Sequence, residues 1–553
     1  MKMKKIKVKY PTFKGNFTDS VLKNRNMTKN ELWRNMSSIE PPQNINGAME
    51  AATRIANAIQ SGEKIALYTD YDADGFGCGV VFTELMRQIP YNNFIVFYNK
   101  RNMGFGMNTK GIDIIMERQP DTKLIVTSDN GIVAFEAVDY AKSLGVDVVI
   151  TDHHIPDESG KLPNAVAVVD PHKEGETCKF QELCGTGVIF KVMALVFYLL
   201  GISSKNLNDV IDIVAVATIA DVVPLRGDNR ILAKEGLKRM SQECRPQWKA
   251  FKQLGSVYTP LVSFKSKDVG FFVGPCINAC SRMSGDISEP MKAFLDTPEM
   301  DVHDAVAKLA KVNEVRKTIQ RTRTEEAMAY VATCNDRFVL VDMAVCEEGV
   351  VGLVAGNICN TTYKPTIVLS KDENGNWKGS GRSIPGVHIK ELLDIVNKTH
   401  PGILVGYGGH SQACGLTVYD GKVDELRKAL NEYCDANFAP ELFDETIIVD
   451  YILDNPAELP RLFSEKCAME PFGCEFPEPI VMVKFKPENT KVVKDGKHLI
   501  FEYKGIEIIS WNSGYHIAGK DPNKIAEVIA IGTIESGQSL NCQPELLTIK
   551  FED

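Results

Sequence analysis

The chain has 553 residues, 44% hydrophobic and 24% charged, the balance of a globular protein rather than a disordered or fibrous one. That length allows about three to five domains. The net charge of −9 argues against nonspecific binding of nucleic acid over the whole surface but leaves room for a local basic channel.

The most apolar run, Val188 to Gly201, is interrupted by Lys191. It is shorter than the roughly 20 residues a membrane helix needs. The N-terminal MKMKKIKVKY is basic but lacks the apolar stretch of a signal peptide. A cytoplasmic protein without membrane association is therefore expected. The fourteen cysteines form no C-x-x-C pairs, and the Cys276–Cys280 spacing fits no common zinc module. Buried free thiols in a reducing compartment are the expectation.

Residues 1–48 read as a polar, Asn-rich lead-in with short helices. After Pro41-Pro42, Ala and Ile at helical spacing predict a helix from Ala48 to Gln60. Strands and helices then alternate. KIALYT (64–69) is a strand, Phe76 to Ile89 a helix and FIVFY (94–98) a strand. LIVTS (124–128) is a strand and Val133 to Leu144 a helix, followed by the strands VDVVIT (146–151) and AVAVVD (165–170). Short apolar strands separated by helices imply βαβ units and a buried parallel sheet. Gly187 to Leu200 and Leu207 to Ala220 read as further helices, and 290–332 as long charged helices suited to bridging two domains. A second α/β region opens with FVLVDM and TIVLS. From Thr446 onward ETIIVDYIL, PIVMVKF, HLIFEY, IEIISW, IAEVIAIGTI and LLTIKFED predict a small barrel or sandwich.

Three strand ends carry clustered ligand types. KIALYT runs into Asp70-Tyr71-Asp72-Ala73-Asp74-Gly75, LIVTS into Asp129-Asn130-Gly131, and VDVVIT into Asp152-His153-His154. Ligands of open parallel sheets bind beyond the carboxyl ends of the strands. Neighbouring strands lie about 5 Å apart, so these loops can converge. Gathered carboxylates repel one another unless cations neutralise them. Carboxylate with imidazole suits Mn²⁺ or Mg²⁺, and a carboxylate bridging two ions makes a clamp for phosphate-ester hydrolysis. Alone, a D-x-D is usually a solvated turn or helix start, and a His-His pair a surface or core feature. DYDADG also lacks the acid that would close a calcium loop, since Phe76 to Val81 are neutral. Three clusters, each placed directly after an apolar strand, outweigh those readings. Asp221, after the apolar IVAVATIA, is as readily a cap as a ligand on spacing alone.

These motifs resemble the DHH phosphoesterase family, and within it the RecJ-type single-strand-specific exonucleases. DYDADG, SDNGI, TDHH, ATIADVVPL, GPCINACSRM, GVVGLVAG, GSGRSI and GYGGHSQACGL stand in the family's order, and MEPFGCEFPEPI is similar to the start of its OB-fold region. The resemblance implies an α/β fold. A parallel-sheet DHH domain (49–240) follows the lead-in (1–48). A helical connector (241–332) leads to an α/β DHH-associated domain (333–440) and a β-rich OB-fold-like domain (441–553).

It implies Asp72, Asp74, Asp129, His153 and Asp221 as ligands of two Mn²⁺ or Mg²⁺ ions, with Asp129 the bridge and Asp70 joining or orienting the set. His154 would contact the scissile phosphate or a bound water, with Asp152 behind it. Arg101 and Arg282 would meet the DNA backbone, and Ser380 and Arg382 would hold a 5′-terminal phosphate. Gly408, Gly409 and His410 would belong to the domain that closes over the substrate. The sequence departs from the family at Tyr68, where some relatives carry histidine, and at Ala279-Cys280-Ser281-Arg282, where Ala-Ala-Gly-Arg is common.

The implied activity is 5′-to-3′ hydrolysis of single-stranded DNA to 5′-mononucleotides in recombination, repair or replication. The chain would act as a monomer, with a single-strand-binding protein or helicase as candidate recruiter. A DHH phosphodiesterase for short oligonucleotides or cyclic dinucleotides is an alternative, but those relatives stop before a region such as 441–553. A catalytically silent replication scaffold is another, but the acids and both histidines are intact. By composition, the glycines of GYGGH read as loop residues. Lys484, Lys486, Lys491, Lys494 and Lys497 read equally well as a solvated face or as a groove tracking single strands.

Overall fold

The computed structural model describes residues 5–11, 15–157, 159–255 and 261–552. The first four residues of the basic N-terminus lie outside them. Two compact units result. One comprises Leu22–Asn313 with Lys466–Glu478, and the other Met1–Val21, Glu314–Glu465 and Pro479–Asp553. No helix among the described residues is long and apolar enough to cross a membrane.

Strand β1 (Ile6–Lys9) belongs to the second unit. In the first unit β2 (Lys64–Thr69), β3 (Phe94–Tyr98), β4 (Thr122–Ser128), β5 (Asp147–Thr151) and β6 (Ala167–Val169) form one sheet, ordered β3-β2-β4-β5-β6 and parallel throughout. The strands are continuous apolar runs because both faces are covered. Leu67 and Val126 join a core built with the helices Ala48–Ser61, Ala73–Met86 and Gly185–Leu199. Ala66, Tyr68 and Ile125 join another with Thr109–Arg118 and Phe135–Ser143. Strand order reverses between β2 and β4, and this switch point opens a crevice beyond the strand ends.

The second unit holds a five-stranded sheet of β7 (Val339–Met343), β8 (Thr366–Lys371), β9 (Trp377–Arg382), β10 (Leu404–Gly409) and β11 (Ala413–Val418), ordered β10-β11-β9-β8-β7. Only β7 and β8 pair in parallel. The GYGGH segment, expected as a loop, is instead strand through Gly409. Glycine there permits close pairing, since a Cβ on Gly409 would lie 2.3 Å from the Ala413 carbonyl oxygen. Downstream, β12 (Glu445–Ile448) pairs with β1. Then β13 (Tyr451–Leu453), β14 (Ile480–Phe485), β15 (Asn489–Val493), β16 (His498–Tyr503), β17 (Ile506–Ser510), β18 (Ile525–Ser536) and β19 (Ser539–Phe551) form a seven-stranded mixed sheet, ordered β13-β14-β18-β19-β17-β16-β15. A 30-residue helix, Val302–Val331, carries the chain from the first unit into the second.

Candidate metal centre

Four segments of the first unit build the site. Beyond β2, Asp72 caps the helix Ala73–Met86, its Oδ1 accepting from the amides of Asp74 (2.9 Å) and Gly75 (3.1 Å). That cap starts the helix three residues before the expected Phe76 and points Asp74 inward. The Asp74 carboxylate accepts from the amides of Gly185 (2.6 Å) and Thr186 (2.9 Å), at the start of the helix Gly185–Leu199. A helix N-terminus favours negative charge, which helps hold this carboxylate in a buried place.

Beyond β4, Asp129 adopts φ 62°, a conformation aspartate tolerates better than most residues. Its side chain meets Gly185, on which a Cβ would lie 2.6 Å from the Asp129 Cβ. Beyond β5, His153 Nε2 lies 3.1 Å from Asp129 Oδ1, 3.7 Å from Asp74 Oδ2 and 3.7 Å from Asp221 Oδ2. Asp221 closes the helix Ile211–Ala220. Two groups of potential ligand atoms result, Asp129 with His153 and His154, and Asp74 with His153 and Asp221, each within 4.8 Å.

Asp152 faces the backbone rather than this cluster. It accepts from the amides of Ile132 (2.9 Å), His153 (2.8 Å) and His154 (3.2 Å), and its Oδ1 lies 2.8 Å from His154 Nδ1. Burial opposes its charge, yet the hydrogen bond from His154 and the two histidine charges hold the carboxyl below its ordinary value. Burial alone would lower the His154 pKa, but Asp152 raises it to about 9. His153, buried and beside His154, is held below the usual histidine value. Asp70 is 4% exposed and its Oδ1 has no hydrogen-bond partner. Burial, then the Asp72 charge, pushes its pKa up to about 8. Burial and the charges of Asp74 and Asp72 likewise drive Asp129 and Asp221 well above the ordinary range.

Such a set is not self-sufficient, because its carboxylates cannot all ionise without a countercharge. Oxygen and imidazole donors around an orphaned carboxylate oxygen fit one or two hard or borderline divalent cations.

Arg101 stacks over the Tyr71 ring (4.8 Å), its amide donating to the Gly285 carbonyl. Arg282 is half-buried in the last turn of the helix Gly274–Ser284. Tyr68 is fully buried against Phe97 (4.8 Å), and its hydroxyl donates to the Gly106 carbonyl (3.3 Å). The remaining expected residues lie in the second unit. Arg382 Nη1 donates to Ser380 Oγ (3.1 Å) and the Gly381 carbonyl (2.7 Å), and no carboxylate pairs with it among the described residues. Burial lowers its pKa. Gly408 and Gly409 lie in β10, and the His410 amide donates to Ala413.

Three participants escape the sequence reading. Gly185 and Thr186 act chiefly through their amides, with the Thr186 hydroxyl donating to the Asp74 carbonyl (2.9 Å), and neither is a residue type that marks a metal site. Asp170 could have been found, because it follows β6 as Asp129 follows β4. It is fully buried, accepts from the His172 amide (2.7 Å), and burial with the Asp152 charge pushes its pKa up to about 7.

This fold, with acids and a histidine pair at its switch point, is that of a DHH-domain protein. Family models match accordingly, the DHH family N-terminal domain over 64–218, the DHHA1 domain over 335–436 and the RecJ OB domain over 449–541. The single-stranded-DNA-specific exonuclease RecJ of Salmonella typhimurium is 30% identical, covering 85% of this chain and 83% of the relative. That of Bacillus subtilis is 33% identical over 80% of this chain and 55% of its own length. The crystal structure of RecJ in complex with Mn²⁺ from Thermus thermophilus superposes with a TM-score of 0.82 at 24% identity, over 99% of this chain and 80% of that one. A structure of exonuclease RecJ bound to manganese gives 0.59 at 26% identity, over 71% and 96%. The chain belongs to the RecJ family.

Proposed function

We propose that this protein is a metal-dependent exonuclease that degrades single-stranded DNA from its 5′ end. The observation that carries the reading is the gathering of the Asp74, Asp129 and Asp221 carboxylates within 3.7 Å of His153 Nε2 at the switch point of a parallel sheet. Family membership, with relatives named single-stranded-DNA-specific exonucleases, supports the substrate class.

Asp74, Asp129, His153 and Asp221 are the proposed ligands, with Asp70 and Asp72 beside them. Asp129, wedged against Gly185, is the proposed bridge. Divalent ions bound there would lower the pKa of water and neutralise the phosphoryl oxygens. The chain's own groups then position the substrate. Asp152 fixes the orientation of His154 and favours its protonated form, which places the ring to meet a phosphate oxygen at the scissile bond. Arg101 and Arg282 would steer the phosphodiester backbone. The buried Arg382 guanidinium and the Ser380 hydroxyl suit a terminal phosphate, since a planar fork pairs with two phosphoryl oxygens.

Purified protein with Mn²⁺ on end-labelled strands tests the reading. 5′-labelled single-stranded DNA should release labelled mononucleotide at once, with 3′-labelled DNA shortening progressively. Immediate release of mononucleotide from the 3′ end, or no hydrolysis of DNA at any Mn²⁺ concentration, would overturn it.

A further inference from the structure

Three side chains hold the backbone of the loop between β3 and the helix Thr109–Arg118, two from the loop itself and one from β2. Asn99, fully buried, donates from Nδ2 to the carbonyls of Gly104 (2.8 Å) and Gly106 (3.1 Å). Asn108 Nδ2 donates to Gly106 (3.2 Å), and the fully buried Tyr68 hydroxyl donates to the same oxygen (3.3 Å). Gly104 (φ 88°) and Gly106 (φ 73°) take left-handed conformations that admit this path. Buried amide and hydroxyl groups are costly unless satisfied, and here their satisfaction fixes one short stretch, Gly104-Phe105-Gly106.

Phe105 gains nothing in burial from that fixing. Its side chain is 55% exposed, while its ring meets the His154 imidazole edge-on, with centroids 5.1 Å apart and planes at 74°. Other apolar side chains open to solvent stand beside site residues: Ile155 (63% exposed) follows His154, and Val222 (66% exposed) follows Asp221. Val222 keeps φ 63°, a backbone state that a β-branched residue adopts only under strain. An aromatic ring on a braced loop, open to water and against the proposed phosphate-contacting histidine, is placed to stack on a flat apolar group one sugar away from that phosphate.

We infer that Phe105 is the residue on which a nucleobase flanking the scissile phosphate stacks, so that Tyr68, Asn99 and Asn108 act as positioning residues for substrate rather than for metal. The inference rests on the nuclease reading above and deepens it. Every base offers a π face, so this contact holds the strand without reading its sequence. It also gives a role to the Tyr68 hydroxyl, at a position where some relatives carry histidine.

The test uses the full chain and two strands of equal length. One is oligothymidylate and the other a base-free tetrahydrofuran phosphodiester, both 5′-phosphorylated. Binding is read by fluorescence anisotropy without divalent ion, and initial hydrolysis rates with Mn²⁺. Phe105→Ala should weaken oligothymidylate binding about tenfold, the scale of one base–aromatic stack. It should leave the base-free strand within about twofold of wild type on the same scale. Phe105→Trp should restore the preference for the base-bearing strand. Equal losses on both strands, or no loss on either, would overturn the inference while leaving the nuclease reading intact. Failure of the wild-type protein to bind or cut either strand would overturn both.

Discussion

Asp129 concentrates the physical tension of the site in one residue. It is buried, in a left-handed backbone conformation, beside a histidine and among carboxylates that oppose its ionisation. Asp129→Ala should abolish hydrolysis of single-stranded DNA in saturating Mn²⁺. It should also raise or preserve the melting temperature of the metal-free protein, because one source of repulsion is gone, and shrink the stabilisation by Mn²⁺. Near-normal turnover by the folded variant would remove Asp129 from the proposed ligand set.

Asp152 acts differently, through the backbone amides of 132, 153 and 154 and the His154 ring. Asp152→Asn keeps the size but loses the charge. It should cost about 10–100-fold in activity, the range for groups that orient ligands. A loss as complete as that of Asp129→Ala would mean that Asp152 itself binds metal. Arg382→Ala should reduce the preference for 5′-phosphorylated over 5′-hydroxyl strands while leaving Mn²⁺ stabilisation unchanged. An unaltered ratio of rates on the two strands would reject the terminal-phosphate assignment.

At the scale of elements, the segment 466–478 packs with the first unit although the chain on both sides of it belongs to the second. Arg230, 2% exposed, accounts for much of this. Its guanidinium donates to the carbonyls of Pro471 (2.7 Å), Met469 (2.6 Å) and Glu470 (3.2 Å), and lies over the Phe476 ring at 4.6 Å. Arg230→Met should therefore strand buried carbonyls and destabilise the first unit by about 3 kcal/mol or more. The measurement is a urea titration, and a change below about 0.5 kcal/mol would show that water satisfies those oxygens as well.

The same scale shows where pattern reading fails. The strand β15, Asn489-Thr490-Lys491-Val492-Val493, has no continuous apolar run to mark it, although Thr490, Val492 and Val493 favour strand, and its pairing with β16 fixes it as one. Helix Ala73–Met86 starts early because Asp72 caps it, a contact hidden by the glycines at 75, 77 and 79.

Across the whole molecule, residues 479–553 contain nine lysines and ten acidic residues, so this region carries no net positive charge. Lys484 and Lys486 pair with Glu527 (2.7 Å) and Glu552 (2.6 Å), and Lys491 pairs with Glu502. For these three lysines a solvated face is the better description, and Lys491→Glu would set two carboxylates against each other rather than test a DNA contact. Truncation is more informative. A chain ending at Pro440 loses the segment held by Arg230, and should melt lower and lose activity even on short strands. A chain ending at Glu478 keeps that segment, and should retain cleavage of short strands. The two chains are compared by thermal melting and by initial rates on a short oligonucleotide. Equal behaviour would show that 466–478 contributes nothing to the first unit.

Much of the first unit was legible because its strands are buried on both faces and therefore read as apolar runs. KIALYT and FIVFY are observed with the expected bounds, as β2 and β3. The acids directly after the strands were legible for the same reason, since a carboxylate at the end of an apolar run has few structural purposes. Family motifs then supplied roles that spacing left open, above all for Asp221. What only the tertiary structure decided are contacts between residues far apart in sequence with no distinctive side chain. Gly185 makes room for Asp129, the Thr186 amide meets Asp74, and Asn99 and Tyr68 hold the carbonyls around Phe105. Backbone amides and absent Cβ atoms carry no residue-type signal, so their part in the site emerges only when the sheet order β3-β2-β4-β5-β6 brings the loops together.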